Sequence, residues 1–303
     1  MMATARSVAT PRPGGENRGG ATLSWVGPGV TAFALAAESQ GTGSKGRGAP
    51  RRCPNLAAFE GWAGGEVGTE LEESVGEEAL GDYFDSGGRG CVVLQDSRLM
   101  QSGWLGEEAR AGSSSGIYAL ADVDDVGLIV VLGAGASGTE GGVVELAKRR
   151  PDLFFLLEGA EDASDQPRFL RSNVAVLRPS GTTLGGLAAY LESVDFTEDP
   201  PFSSLRIAPP GSLRAADCLR MEAWRLQAGL RRSLDLGTRW MVFEVNYSLL
   251  WRRVEREITG FFHRLRRRGF FKELEHGRRL EATCEPSATS HVTIRVAARQ
   301  NEI

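Results

Sequence analysis

Apolar positions along this 303-residue chain follow two spacings, and each spacing predicts a different kind of element. Short apolar or alternating runs bounded by turn residues predict strands, whereas three- and four-residue spacing predicts helices. Strands are expected after Pro28-Gly29 and at Cys91–Leu94, Asp125–Leu132, Leu153–Leu157, Thr238–Val245 and His291–Ala297. Helices are expected within Asn55–Gly65, Glu140–Arg150 and Ser212–Leu236, and from Ser248 to a stop at Gly269. The order of these elements indicates an α/β protein with mixed sheets flanked by helices.

The stretch from Gly237 to Phe271 has the clearest pattern in the chain. Thr238–Val245 is rich in aromatic and β-branched residues and predicts a buried strand, and Asn246-Tyr247-Ser248 predicts a turn and a helix N-cap. The helix that follows has an apolar face of Leu250, Trp251, Val254, Ile258, Phe261, Phe262 and Leu265. Its other face carries Arg252, Arg253, Arg256, Arg264, Arg266 and Arg267. One side is therefore expected to join a core, and the other to meet solvent or a charged partner.

The remaining stretches are less regular. Within Ser212–Leu236, a second apolar helix face consists of Leu219, Ala223, Leu226, Leu230 and Leu234. Polar, glycine-rich or proline-rich composition predicts a disordered tail at Met1–Gly20, loops at Gln40–Pro54 and Phe196–Gly211, and a linker at Gln95–Gly116.

Composition limits the class of protein. Hydrophobic residues make up 41% of the chain, which is typical of a soluble globular protein. The longest apolar run, Val126–Ala136, is too short to span a bilayer, and Met1–Gly20 lacks the apolar core of a secretory signal. Residues 60–110 contain twelve acids and three arginines, whereas residues 251–280 contain ten bases and four acids. Such a chain can attract copies of itself, although two separately solvated faces are the alternative.

Cysteine and histidine usage does not suggest a catalytic or metal site. The four cysteines, Cys53, Cys91, Cys218 and Cys284, form no C-x-x-C pair, so a reducing compartment during synthesis is favoured. The three histidines are His263, His276 and His291, and His263 is expected on the surface of the basic helix. No Ser/His/Asp set, H-E-x-x-H or paired-carboxylate motif is recognisable. We therefore expect no catalytic residues and no metal ligands.

The segment from Asp125 to Glu158 supports an alternative function. A strand, a turn that fits G-x-G-x-x-G, a helix and a second strand ending in an acid are the parts of a dinucleotide-binding unit. In this reading Gly133, Gly135 and Gly138 would approach a pyrophosphate, and Glu158 would hold ribose hydroxyls. The protein would then be a nucleotide-dependent oxidoreductase. Against this, more than a hundred residues of different character precede the unit.

A second interpretation comes from the order of the rarer residues in the C-terminal stretch. These are Gly237, Thr238, Trp240, Phe243, Glu244, Asn246, Leu250, Trp251, Phe261 and Gly269. Their order resembles the C-terminal domain of contractile-tail sheath proteins, the subunits that surround phage tails and related injection machines. The family pattern is a Gly-Thr-aromatic strand ending in Phe-Glu-Pro-Asn, a Leu-Trp that begins a helix, and a Gly stop. Val245 stands where the family has proline.

Leu80–Gln95 carries a further similarity to the same family. Tyr83-Phe84 precedes Gly87-Gly88, and Arg89-Gly90-Cys91 follows, whereas the family has a helix ending at Gly-Gly before a strand with an Arg-Cys-like start. Cys91 is then expected to be a small buried residue and not a nucleophile.

Weaker similarities and two departures complete the comparison with the family. Asn55–Gly65 resembles a short family helix with Phe59 and Trp62 as anchors, and Pro179-Ser180-Gly181 with Gly185-Gly186 resembles a Pro-Ser-Gly segment. Arg231-Arg232 resembles paired arginines that precede the family strand. The family's Trp-Gly-Ala-Arg-Thr strand is not found, and its Pro-Gly-Val arm, here Pro28-Gly29-Val30, runs directly into Thr31-Ala32-Phe33.

The resemblance implies a shortened or divergent, non-enzymatic sheath subunit with tail-sheath-like core domains. Its regions would be a tail at 1–20, an N-terminal region at 21–110, a central βαβ region at 111–210 and a C-terminal domain at 211–303. Such subunits assemble in helical rings around an inner tube and contract to drive injection. Implied partners are other sheath subunits and the inner tube protein, with assembly in the cytoplasm and a final place in a phage tail or phage-tail-like particle.

The resemblance also implies where partners would bind. The expected interface residues are Val292, Ile294 and Val296 on the terminal strand, and Arg252, Arg253 and Arg256 on the basic helix. No cofactor and no membrane insertion are expected. A nucleic-acid partner is not expected either, because no aromatic residues alternate with the arginines as stacking platforms.

Overall fold

The structure, a computed structural model, describes residues 23–35, 49–63, 75–96, 106, 114–132, 139–159, 167–177, 181–194, 215–244, 248–270, 278–286 and 292–300. The strands are β1 Val30–Leu35, β2 Arg51–Cys53, β3 Cys91–Gln95, β4 Val126–Leu132, β5 Phe154–Glu158, β6 Arg168–Arg171, β7 Val174–Leu177, β8 Arg278–Pro286 and β9 Val292–Gln300. The helices are α1 Leu56–Ala63, α2 Val75–Asp85, α3 Ile117–Ala121, α4 Thr139–Arg149, α5 Gly181–Ser193, α6 Ala215–Thr238 and α7 Ser248–Arg267. A short 3-10 helix, Arg239–Phe243, follows α6.

A seven-stranded sheet forms the centre of the molecule. Its strand order is β2-β3-β1-β4-β5-β7-β6. The five inner strands run parallel, whereas the edge strands β2 and β6 are antiparallel to their neighbours. All seven residues of the central strand β4 are buried, as expected for a parallel strand that helices cover on both faces. Strands of the predicted N-terminal region at 21–110 and strands of the predicted central region at 111–210 therefore belong to one sheet.

Alternate residues of the strands enter two separate cores, because successive side chains point to opposite faces. On one face, Phe33, Val130 and Leu156 pack with residues of α2, α5 and α6. On the other face, Ile129 and Phe155 pack with residues of α3 and α4. Burial of each such side chain contributes about 1.5–3 kcal/mol, so these two cores supply most of the hydrophobic stabilisation of the sheet.

Several predicted elements are confirmed. The strands expected after Pro28-Gly29, at Cys91–Leu94, Asp125–Leu132 and Leu153–Leu157 are β1, β3, β4 and β5, and the expected helices are α1, α4, α6 and α7. The stop of α2 at the glycine pair is also present: Gly87 has a φ of 93° and Gly88 N–H donates to Tyr83 O at 2.9 Å. Phe59 is buried as expected, whereas the side chain of Trp62 lies outside the described residues.

The strand predicted at Thr238–Val245 is wrong. Helix α6 continues to Thr238, and the 3-10 helix occupies Arg239–Phe243. Local contacts favour the helical path: Thr238 Oγ1 donates to Leu234 O at 2.7 Å, and Arg239 pairs with Asp235 one turn earlier at 3.0 Å. The aromatic and β-branched composition is only a weak preference, and packing of Trp240 against other helix residues overrides it.

Two smaller predictions also need correction. The loop expected at Gln40–Pro54 contains the edge strand β2, which pairs with β3 although its first two residues are exposed arginines. On α6, Leu226 is half-buried as expected, but Ala223 is exposed. Leu230 and Leu234 are half-buried against the α7 core, as predicted. The fully buried residues of the helix lie on a neighbouring, partly polar face that includes Cys218, Met221, Glu222, Arg225, Ala228 and Ser233.

Candidate assembly interface

Helix α7 is anchored by the apolar face that its sequence predicts. Leu250, Val254, Ile258, Phe261, Phe262 and Leu265 are buried, and Trp251 is half-buried against the same cluster. Gly269, with a φ of 96°, ends the helix, and Phe270 N–H donates back to Leu265 O at 3.1 Å. This is the glycine C-cap that the sequence predicts, because glycine adopts a positive φ without strain.

The opposite face of α7 presents a row of cations. Arg252, Arg253, Arg256, Arg266 and Arg267 are exposed there, with Arg268 just beyond the helix and His263 also on the surface. The Arg253 guanidinium lies 4.8 Å from the centre of the Trp240 ring, so it stacks on an aromatic face while remaining accessible. The three arginines predicted as interface residues therefore lie together on one exposed helix face, where they can attract an acidic partner.

The terminal strand pairs within its own chain. Strands β8 and β9 form a separate two-stranded antiparallel sheet, in which Val292, Ile294 and Val296 lie opposite Pro286, Cys284 and Ala282. The strand predicted at His291–Ala297 is therefore present as part of β9. Each of these strands has one hydrogen-bonded neighbour among the described residues. An edge with no neighbour presents backbone N–H and C=O groups that another strand can pair with. Helix α7 lies against β8, so this small sheet and the basic helix are adjacent.

An extended N-terminal segment, Leu23–Gly29, crosses helices α6 and α7; we call it the strap. Its Leu23 is buried, and its Trp25 ring meets Phe270 edge-on with centroids 5.0 Å apart. Glycines of α6 make room for both side chains, because a Cβ at Gly237 would overlap Leu23 and one at Gly229 would overlap Trp25. The strap therefore lies in a groove that two glycines open on a helix surface.

Polar contacts fix the backbone of the strap along this groove. Arg264 Nη2 donates to Leu23 O at 2.9 Å, and Val26 N–H donates to Ser233 Oγ at 3.1 Å. Further along, Arg225 Nη1 donates to Pro28 O at 3.2 Å, and Nη2 donates to Gly29 O at 3.3 Å. The strap thus joins the helical part of the molecule to β1, the strand that follows it.

Three arginines on α6 and its extension continue this connection. Arg225, Arg232 and Arg239 are seven residues apart, which places them on one side of the helix. Arg232 donates to the carbonyl oxygen of Val126, the first residue of β4, at 3.1 Å and also to Asp124 O in the turn before it. Arg225 is fully buried, and this burial lowers the pKa of its guanidinium to about 10. These arginines hold α6 against the amino ends of β1 and β4.

The buried Glu222 and the half-buried Glu192 lie where α5 meets α6, α2 and the sheet. Glu222 accepts a hydrogen bond from Tyr190 Oη through Oε1, and its Oε2 has no hydrogen-bond partner within the described residues. Burial therefore raises the pKa of Glu222 to about 7. Glu192 accepts hydrogen bonds from Thr31 Oγ1 at 3.0 Å and from Tyr83 Oη. Glu222 thus links α6 to α5, and Glu192 links α5 to β1 and α2.

The dinucleotide-binding alternative receives no support. Gly133, Gly135 and Gly138 lie outside the described residues. Glu158 is buried at the end of β5, with Leu177 as its register partner on β7. No group of three or more metal-ligating side chains occurs in the described part of the chain. Among the described helices, none combines the length and hydropathy needed to cross a membrane.

Sequence reasoning did not find the strap, its groove or the α6 arginine row. Two spacings carried the signal: Gly229, Ser233 and Gly237 recur every four residues, and the three arginines recur every seven. Such repeats place small or cationic residues on one helix side. The hydrogen-bond partners of Arg225 on α6 and of Val26 in the strap are more than 190 residues away along the chain, so the sequence alone could not identify these contacts.

No protein-family model matches the sequence, and no curated protein matches it in sequence. The sheath complex of PVC, an extracellular contractile injection system, in its contracted state has a TM-score of 0.63 at 14% identity, covering 99% of this chain and 96% of that chain. The contracted helical sheath of the anti-feeding prophage gives 0.59 at 13%, covering 100% and 97%. A chain of the contracted anti-feeding prophage baseplate gives 0.57 at 16%, covering 98% and 96%.

These likenesses extend over nearly the whole of each chain, and they confirm the predicted α/β fold. The chain has the fold of the subunits in contractile injection system sheath structures.

Proposed function

We propose that this protein is a non-enzymatic structural subunit of a contractile sheath. It stacks with other subunits in helical rings around an inner tube and contracts to drive injection. The structural likeness to sheath chains carries this proposal. The TM-scores are 0.59 and 0.63, and almost the whole of both compared chains is covered. The protein would assemble in the cytoplasm and become part of a phage tail or phage-tail-like particle.

The β8–β9 sheet would supply the connection between subunits. A two-stranded sheet on its own is marginally stable, and pairing with a strand of another chain completes its hydrogen bonds. Addition of a strand to an open sheet edge is a known docking mode. Val292, Ile294 and Val296 occupy alternate positions of β9, which supports their expected role at such a junction.

The basic face of α7 would supply a second contact. Arg252, Arg253 and Arg256 lie exposed on a helix whose other face is firmly buried. A fixed row of guanidinium groups steers association with an acidic surface and fixes its orientation. We assign this face to the inner tube or to an acidic surface of a neighbouring subunit.

Deletion of residues 290–303 tests the proposal. The deletion removes β9 and leaves β8 without its pairing strand, so the protein should lose co-assembly while the seven-stranded sheet stays folded. The measurement is electron microscopy and co-purification of the subunit expressed with its genomic neighbours, together with circular dichroism of the isolated subunit.

A shorter deletion of residues 301–303 is the control, because it leaves all of β9 in place. It should assemble like the full chain. Tubes that form at the full level from the 290–303 deletion would contradict the proposed junction. Failure of the full chain to enter any tubular particle would contradict the proposed function as a whole.

A further inference from the structure

Two cysteines face each other at the edge of the main sheet. Cys53, the last residue of β2, is the direct register partner of Cys91, the first residue of β3, in an antiparallel pair. Both are buried, with 1% and 4% of their surface exposed. Directly opposed residues in antiparallel strands have Cα atoms about 4.5–5.5 Å apart. This separation lies within the range of about 4.4–6.8 Å that a disulfide requires.

The thiol groups of the two cysteines also interact with each other. The Cys91 thiol shares a hydrogen bond with the Cys53 sulfur, which lowers the pKa of Cys53. Cys53 Sγ also lies 3.1 Å from Asn55 O. Gly90, which precedes Cys91, lies next to the Cys53 backbone, since a Cβ on Gly90 would be in ordinary van der Waals contact with Cys53 O at 3.5 Å. Gly90 has a φ of 131°, a conformation that glycine adopts without strain.

We propose that Cys53 and Cys91 are a redox modification site, which forms a reversible disulfide between β2 and β3. Both thiols are free in the structure. The bond would fasten β2, a three-residue edge strand, together with α1, which follows it directly, to the first of the inner parallel strands. The inference is independent of the proposed function, since it rests on the pairing of two strands alone.

Glutathione disulfide is the oxidant that would convert the two thiols to a disulfide. The Cys53 thiolate attacks one sulfur of glutathione disulfide, and one glutathione thiolate leaves. Burial and the neighbouring Cys53 raise the pKa of the Cys91 thiol, so the glutathione thiolate that has just left takes its proton. The resulting Cys91 thiolate attacks the Cys53 sulfur of the mixed disulfide, and the second glutathione leaves. Cys91 thus acts as a nucleophile in this step, a role that the sequence did not predict. The two protein thiols lose two protons and two electrons, and one glutathione disulfide is reduced to two glutathione molecules. A short edge strand opens locally at low cost, which gives the oxidant access to Cys53.

The test uses the full-length protein, reduced, desalted and incubated with glutathione disulfide. Intact mass should fall by about 2 Da, the two thiol hydrogens, and free thiols should fall from the four in the sequence to two. Peptide mapping of the unaltered chain should link Cys53 to Cys91. The oxidised form should melt about 5 °C higher, because the link closes residues 54–90 into a loop in the unfolded chain. Dithiothreitol should reverse all these changes.

Three variants sharpen the result. Cys91→Ser should trap a glutathione adduct on Cys53, because the resolving thiol is missing. Cys53→Ser should abolish the internal link, and Cys218→Ser, a buried cysteine elsewhere, should leave it unchanged. The proposal is overturned if the folded protein keeps four thiols under conditions in which a heat-unfolded sample loses them. It is also overturned if mapping links Cys53 to another cysteine.

Discussion

At the scale of single residues, Glu222 is a buried acid whose surroundings disfavour its charged form. Its carboxyl is 1% exposed, and one of its oxygens has no hydrogen-bond partner among the described residues. The groups around it are the Tyr190 hydroxyl, which donates to it, and the Cys218 thiol, whose pKa is raised to about 11 by burial. Ionisation of Glu222 in the folded protein is therefore costly.

The pH dependence of stability follows from this cost. The pKa of Glu222 rises from 4.5 to about 7, so the folded protein binds more protons at this site than the unfolded chain does between these two values. The free energy of unfolding should fall as the pH rises through that window. Glu222→Gln should be more stable than the unaltered protein at pH 8, by on the order of 2 kcal/mol, and equal to it near pH 4.5.

Denaturant unfolding at both pH values is the measurement. Glu60→Gln, at an exposed position on α1, is the matched control and should change the free energy of unfolding by less than about 0.5 kcal/mol at either pH. A Glu222→Gln variant that is less stable than the unaltered protein at pH 8 would show that the charged carboxylate is stabilising.

Phe261 tests the burial of the apolar face of α7. Its side chain is 1% exposed within the helical core. Phe261→Ala should lower the free energy of unfolding by about 3–5 kcal/mol, because it removes buried surface and leaves a cavity. Leu249→Ala on the same helix is the control, since Leu249 is 63% exposed and should cost less than about 0.5 kcal/mol. Equal losses in a urea melt would contradict the assignment of the two faces.

At the scale of elements, two helix glycines should respond in opposite directions to the same substitution. Alanine at an open helix position stabilises by about 1 kcal/mol relative to glycine, and Gly141 of α4 has no atom within 4 Å of a Cβ. Gly141→Ala should therefore raise the free energy of unfolding. Gly229→Ala should lower it, because the new Cβ overlaps the Trp25 ring and displaces the strap from its groove.

Urea melts of both variants give the sign of each change. Tryptophan fluorescence shows whether the strap has moved, since Trp25 should become more exposed in Gly229→Ala and stay unchanged in Gly141→Ala. Stabilisation of both variants to the same extent would show that the strap does not depend on the glycine groove.

The same elements show what the sequence could predict. The β1, β3, β4 and β5 strands and the α7 helix were predictable, because their patterns are local and agree with their burial. The strand at Thr238–Val245 was not, because Arg239–Asp235 and Thr238–Leu234 contacts extend the helix beyond what composition indicates. The strap groove depends on contacts between residues as far apart as Leu23 and Arg264, which no local pattern records.

At the scale of the whole molecule, charge should govern assembly without governing the fold. Arg252 and Arg256 are exposed on the basic face of α7, so Arg252→Glu with Arg256→Glu should leave the melting temperature within about 2 °C. If this face meets an acidic surface, the double variant should fail to enter particles, because like charges then face each other.

Co-purification with the other components, measured at low and high salt, checks this prediction. Arg89→Glu, at an exposed residue between α2 and β3, is the control and should assemble normally. Normal assembly of the double variant would assign the α7 face to solvent and leave assembly to the terminal strands.

The strap has a consequence for the timing of synthesis. Its backbone is held by Arg264, a residue 241 positions later in the chain. At about 5–20 residues per second, a ribosome needs roughly 10–50 s to make the residues in between. During this interval the strap lacks the groove that holds it, and only a chain translated beyond Arg264 can close over it. A prematurely truncated chain would keep Leu23 and Trp25 uncovered, a signal by which proteases could distinguish unfinished subunits from finished ones.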